Sequence, residues 1–331
     1  MKFALLTTIA TALCAPGVLS VPLVARNTSS SIGASVGRVG GGVGGGVGGG
    51  RITDVDVLQF ALTLEHLENV FYKQGLSRFS QADFLRAGFD SRFFNQMRFV
   101  ARDEEAHVVF LQQAITGLGV RPVTACRYNF PFRDVRSFVG LASVLEGIGV
   151  SAYLGGAGFI GNKDFLGAAA AILATEGLHQ ATLRNSLGLV ASANIAGTSI
   201  NPNAIFSLAS AFIVDCPRGN AALPFKAFPS LSPRGNVFAV DGFSRFALGR
   251  GVTVPQVFFL TFVSGFDIIS IPGVFTGGLY QGRIPRRISG QSFVFITSAE
   301  ARGTLVESSI LAGPAIIEVN PSAPNINFSL L

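Results

Sequence analysis

Two of the three histidines in the chain follow a glutamate by three positions inside apolar stretches, as Glu104-x-x-His107 and Glu176-x-x-His179. Only nine glutamates occur in 331 residues, and two more of them, Glu65 and Glu146, stand on similar apolar segments. Residues three apart in a helix share a side, so each Glu-x-x-His pair can approach one ion together. A single carboxylate from each of two helices, with a Glu-x-x-His pair from each of two others, is the ligand inventory of a dinuclear carboxylate centre inside a four-helix bundle. Mixed carboxylate and imidazole ligation suits iron(II) or manganese(II). On this reading Glu65, Glu104, His107, Glu146, Glu176 and His179 hold two ions, with Glu65 and Glu146 as the bridging carboxylates. Burying an unpaired carboxylate is costly, and bound cations explain why acids stand in helices that are otherwise apolar.

The repeat extends to tyrosine. Tyr72 lies seven residues after Glu65 and Tyr153 seven after Glu146, in a chain with four tyrosines, so each half reads Glu, then Tyr two turns on, then Glu-x-x-His. The hydroxyls can hydrogen-bond a ligating group, serve as redox-active neighbours, or simply pack in the core with the hydroxyl satisfied. Plainer readings compete at each position. Asp103, Glu104 and Glu105 form a charge run that a solvated helix face would also produce. Glu146 is the sole charge between Phe138 and Ile160, a stretch that competes as a membrane span. A mid-span carboxylate costs ~2.5–3.5 kcal/mol, however, and the glycines and the twin segment bearing Glu176 favour a protein interior. Glu68 is one turn from Glu65 and adjoins the site as an outer neighbour, whereas His66, rotated by about 100°, is expected on the surface.

The elements that must carry these groups can be read from caps and periodicity. Thr53, with Asp56 three residues on and Asp54 in the first turn, opens a helix that is expected to end near Lys73, before Gly75. Leu58, Leu62, Glu65 and Tyr72 fall on one inward stripe. A short helix over Gln81–Ala87 leads to a second long one, Ser91–Leu118, stopped by Gly117, Gly119 and Pro122. A third spans Asp134–Tyr153 and a fourth Lys163–Leu189. The 14 residues from Val120 to Arg133 reach ~45 Å when extended, against ~30 Å for a 20-residue helix. The linker can therefore travel the length of the bundle, which predicts the one-crossover connectivity of ferritin-like folds. Asn203–Val214 is a candidate fifth helix. From about Gly219, short β-branched and aromatic runs such as 237–240, 257–263, 292–297 and 315–319 are punctuated by Gly and Pro and predict a small β-rich, sandwich-like domain.

The ends and the composition bound the setting. Residues 1–20 have the form of a secretory signal: Lys2, an apolar run from Phe3 to Ala15, then small residues at Val18 and Ser20. At about 15 residues the run is too short for a membrane span, so no transmembrane anchor is expected and the mature chain is placed outside the cell or in the wall. Residues 21–51 end in a Gly-Val-Gly-Gly repeat and read as a disordered tether, leaving the bundle at 52–218 and the β-rich part at 219–331. Once Cys14 leaves with the signal, Cys126 and Cys216 remain, either as a disulfide, which export favours, or as two buried thiols. Asn27-Thr28-Ser29 and Asn327-Phe328-Ser329 fit the glycan acceptor pattern. A net charge of +6 from scattered arginines is compatible with an anionic or cell-wall polysaccharide partner, and without interleaved aromatic and basic residues it does not indicate nucleic acid.

Taken together, the segment from Asp54 to Glu68, Asp103-Glu-Glu-Ala-His107, Phe138–Tyr153 and Thr175-Glu-Gly-Leu-His179 resemble the fungal secreted ferritin-like domain proteins. That group includes stress-responsive and late sexual development proteins and is similar to plant desiccation-related proteins. The resemblance covers about Ile52–Asn220, and Ala312-Gly313-Pro314-Ala315 is similar to the β-rich tail of these proteins. It implies the bundle and a dinuclear site and no demonstrated reaction; dioxygen activation or peroxide destruction is the chemistry expected of such a site, not of the resemblance. A metal-free structural or protective protein using the same bundle is the alternative. A storage cage is disfavoured by the tether and the added β-rich part.

Overall fold

The computed structural model describes residues 52–235 and 237–330. The expected signal, the tether and Asn27 lie outside them.

Helix α1 (Asp54–Arg78) opens on a capping box in which Thr53 and Asp56 satisfy each other's backbone N–H groups. It does not stop near Lys73. Gly75 is a notch rather than a terminator: a Cβ there would stand 2.0 Å from the Phe138 ring. The helix thus continues beneath an aromatic cluster in which Phe71 and Phe138 lie 4.9 Å apart. Short α2 (Gln81–Arg86) is boxed by Ser80 and Asp83, and α3 (Ser91–Gly117) starts at Asp90. Helix α4 (Val135–Gly156) is capped by Asp134, and α5 (Lys163–Ser186) by Asn162. α1 packs on α3 and α4 on α5, and the two hairpins meet in one bundle.

The crossover runs along α1. Near its start, the Gln59 side-chain amide donates to the Arg121 carbonyl at 2.8 Å, while its oxygen accepts the Val123 N–H at 2.9 Å. At its end, Arg78 donates to the carbonyls of Phe132 and Arg133. From Gln59 to Arg78 is about 28 Å of helix at 1.5 Å per residue, so the linker does traverse the bundle. Its middle forms β1 (Arg127–Tyr128), which pairs with β2 (Ile213–Asp215) beside a Cys126–Cys216 disulfide. That pairing corrects the fifth helix: α6 covers only Pro202–Ser210, because residues 213–215 leave the helix to complete the ladder with the crossover.

The remaining strands are β3 (Leu231–Pro233), β4 (Val237–Ala239), β5 (Phe243–Leu248), β6 (Phe259–Ser264), β7 (Asp267–Pro272), β8 (Val274–Thr276), β9 (Leu279–Arg283), β10 (Gly290–Thr297) and β11 (Ile310–Asn320). They form a five-stranded sheet, β4-β11-β10-β6-β7, and a four-stranded sheet, β3-β5-β9-β8. Alternation along β10 explains the layering. Val294 and Ile296 join Phe246 and Leu231 in the core between the sheets, whereas Phe293 and Phe295 join the helical core with Leu183, Leu145 and Ile205. Every residue of β10 is buried. The sandwich is therefore one wall of a three-layer body in which the five-stranded sheet is covered on both faces. A bidentate ion pair, Arg184 to Glu318 at 2.7 and 2.8 Å, ties α5 to β11, and the Gln291 amide of β10 donates to the Val144 carbonyl of α4 at 3.2 Å.

Among the described residues, α4 with its short extension is the one helix long and apolar enough to cross a membrane. Here it is a core helix, and Glu146 at its middle is fully buried.

Candidate metal centre

Four helices bring the six expected residues to one depth. Glu104, Glu146 and Glu176 have no exposed surface and Glu65 has 1%. His107 Nδ1 lies 3.2 Å from Glu65, 3.4 Å from Glu104 and 3.4 Å from Glu176. His179 Nδ1 lies 2.9 Å from Glu104 and 3.2 Å from Glu146. The two imidazole rings are 6.3 Å apart. The donor atoms fall into two groups, each within a 4.8 Å span: Glu65, Glu104, His107 and Glu176, and Glu104, Glu146, Glu176 and His179.

Glu104 and Glu176 belong to both groups, so they are the carboxylates that two ions would share, while Glu65 and Glu146 each belong to one and so would be end ligands. The sequence reading had given the shared position to Glu65 and Glu146. The Tyr hydroxyls account for the end positions. Tyr153 donates to Glu65 at 2.5 Å and Tyr72 donates to Glu146, so each tyrosine holds the single glutamate of the other hairpin. Burial, reinforced by the adjacent carboxylates, holds both phenols well above their usual range, and they remain donors at any physiological pH. One oxygen of each end glutamate is thereby committed and the other faces the histidines.

The fit to cations rests on what is left unsatisfied. Both oxygens of Glu104 and both oxygens of Glu176 are buried and accept no hydrogen bond. His179 comes within 2.9 Å of Glu104, but its N–H is not aligned to serve that oxygen. A single imidazole N–H also cannot serve the three carboxylates that surround His107 Nδ1. Burial first, then repulsion from Glu146, pushes Glu104 up to about 7 despite the opposing pull of the histidines. Burial and Glu104 likewise hold Glu176 well above the carboxylate range. Burial opposes charge on His179, yet its contacts with Glu104 and Glu146 prevail and raise it to about 11; His107 is raised for the same reason by Glu104, Glu176 and Glu65. Protons thus stand where cations would: four carboxylates balance two dications, and oxygen and imidazole donors match iron or manganese.

Of three neighbours of the cluster, sequence reasoning missed Asp103, misplaced His66 and placed Glu68 beside the site. Asp103, read as part of a charge run, lies 3.4 Å from His179 Nε2 on the far side of the ring from the cluster, the position from which a carboxylate fixes a ligand's tautomer. Glu68 is buried among the cluster's carboxylates and held well above its usual range by burial and by Glu176; only its one-turn spacing from Glu65 hinted at this. His66 is 6% exposed, not on the surface. The crossover covers that side of α1, and the ring donates to the Val123 carbonyl at 3.1 Å, with burial lowering its proton affinity.

Gly149 on α4 is the recess that admits the bridging group. A Cβ there would sit 2.4 Å from Glu176 Oε2 and 3.1 Å from Glu68 Oε1. Gly149→Ala should therefore favour the helix by up to ~1 kcal/mol while weakening metal binding about 10- to 100-fold, the range seen when ligand orientation is disturbed. A competitive chelator titration measures this, and wild-type affinity in the variant would contradict the assigned role.

Comparison with known proteins agrees with this geometry. Residues 53–189 match the model of the ferritin-like domain family, and the helical part of the chain has the ferritin-like bundle fold, followed by the β-rich region. Over 181 residues, 54% of the chain, the sequence is 34% identical to protein rds1 of the fungus Schizosaccharomyces pombe. The match spans 44% of that protein, so the chain covers less than half of its relative's length.

Proposed function

We propose that the protein is an exported ferritin-like dimetal protein of fungal stress or developmental physiology, binding two iron or manganese ions through Glu65, Glu104, His107, Glu146, Glu176 and His179. The observation that carries this reading is the set of four buried carboxylate oxygens on Glu104 and Glu176 that accept no hydrogen bond and have only the two histidines as charge partners. Glu104 and Glu176 would lie between the ions, Glu65 and Glu146 would close the ends under tyrosine control, and Asp103 would steady the His179 ring. Two such ions supply paired one-electron redox capacity, the chemistry of oxidant handling. The protein's own contribution is a dry, preorganised cage whose phenols keep their protons. Export is supported by the form of residues 1–20 and by the Cys126–Cys216 disulfide, and the exposed Asn327 is open to glycan attachment.

Metal analysis of purified wild type against Glu176→Ala/His179→Ala tests the reading. The wild type is expected to carry two ions and the variant essentially none; equal content in both would remove the site. Chelation should also lower the melting temperature, and more at about pH 8 than at about pH 5. A carboxyl raised in the fold stabilises it while protonated, and that contribution is lost as pH rises from the unfolded value towards about 7 for Glu104. The raised His179 adds stability that declines as pH rises from its unfolded value towards about 11. Above about pH 7 the metal-free cluster has lost the Glu104 proton and depends more on cations.

A further inference from the structure

The pseudo-twofold repeat of Glu and Tyr is broken by what packs around it. Tyr72 is fully buried, with the rings of Phe71 and Phe138 at 5.4 and 6.2 Å. Around Tyr153 the corresponding volume is not filled. A pocket of about 50 Å³, partly open towards solvent, lies there, lined by residues of α1, α3, α4, α5 and α6 and by Phe225. Its walls owe their distance to small side chains: Ala61, Gly149, Ala152, Gly156, Ala168 and Ala169. Its polar groups are Glu65, Glu68 and Tyr153, all at the end that meets the cluster. Glu146, His179 and Tyr72 are not among its walls.

Protein interiors leave few voids larger than a water molecule, and an apolar void stays dry and takes nonpolar guests. By the space one water requires, about 50 Å³ holds roughly four water-sized bodies, which suits a dissolved gas or a fragment of a few carbons and is too small for a fatty chain. Hydrogen peroxide or water would forfeit hydrogen bonds on entering.

We infer that this cavity is a binding chamber for a compact nonpolar molecule of dissolved-gas size, delivered to the cluster at the Glu65 end alone. The two halves then differ in function although their ligands match: one receives the guest and the other is sealed by aromatic rings. The chamber itself needs no metal, while its use as a delivery route rests on the dimetal reading above.

Xenon is the probe. Crystals of the full protein under xenon pressure should show one xenon atom between α1, α4 and α5 beside Tyr153, and Ala168→Leu should abolish it with metal content unchanged. Ala61→Val, a smaller addition to the opposite wall, should reduce occupancy severalfold and serves if Ala168→Leu does not fold. Absence of xenon from the cavity in the wild type, or full occupancy in a folded Ala168→Leu protein, overturns the inference. Xenon in the chamber of a protein that takes up no iron or manganese would remove the dimetal reading and leave the chamber standing. Metal uptake without xenon would do the opposite.

Discussion

Replacing Glu104 by Gln is expected to make the metal-free protein more stable and unable to hold its ions. The carboxyl of Glu104 is fully buried, accepts no hydrogen bond and is raised to about 7. Its ionisation at about pH 8 therefore works against the fold by up to about 3 kcal/mol, since each tenfold change in proton affinity corresponds to about 1.4 kcal/mol. A neutral amide removes that burden and can donate to the neighbouring carboxylates. The same change deletes a group shared by both donor sets, so both ions should be lost together and not one. Urea unfolding in the presence of a chelator, run beside a metal titration, reads both effects. A variant that is less stable than wild type and still binds two ions would refute the assignment of Glu104 as a bridge. The expected result is the signature of a site that is held at the expense of stability, since most buried positions respond to substitution in the opposite direction.

The second large effect concerns the bridge between the crossover and the strand after α6. Cys126 and Cys216 are 90 residues apart, and closing a loop of that length restricts the unfolded chain by about 4–5 kcal/mol. The Cys126→Ser/Cys216→Ser protein should lose that amount in urea unfolding. The loss should also be felt at the site, because the segment released is the one whose Val123 carbonyl and N–H hold His66 and Gln59 on the helix that presents Glu65 and Glu68. A loss below about 1 kcal/mol would show that the β1–β2 ladder and the Phe130 and Phe132 contacts anchor the crossover without the covalent link.

The candidate ligands were legible in the sequence because two constraints coincide in them. A helical spacing of three places Glu and His on one side, and an apolar surround leaves an acid no solvent. Caps were legible for the same local reason: Thr53, Asp134 and Asn162 each bond to the first turn that follows them. What failed was whatever depended on a distant partner. Gly75 resembles a helix stop until Phe138 is seen to occupy the place of its side chain. His66 points away from the bundle axis and is buried only because the crossover lies over it. Periodicity assigns a carboxylate to a face but does not say which of four belongs to both donor groups; those are Glu104 and Glu176, where the sequence reading had Glu65 and Glu146 as bridges. In the β-rich region, short apolar runs gave strands, whereas the shortest ones, such as β3 and β8, carry too few residues for alternation to register. The full burial of β10 on both faces likewise follows from layers that meet only in three dimensions.

Strand β10 also bears on how far the molecule can be divided. Phe293 and Phe295 are rooted among the helices, while Val294 and Ile296 serve the opposite interior, so neither neighbour can be peeled away without stripping the other. The helical segment is consequently not a portable module. Excised where the composition changes near Gly219, it would present to water the greasy flank now roofed by Val263, Phe293, Phe295 and Ile310, and it would lose the Glu318 carboxylate that neutralises Arg184 on α5, the helix that carries Glu176 and His179.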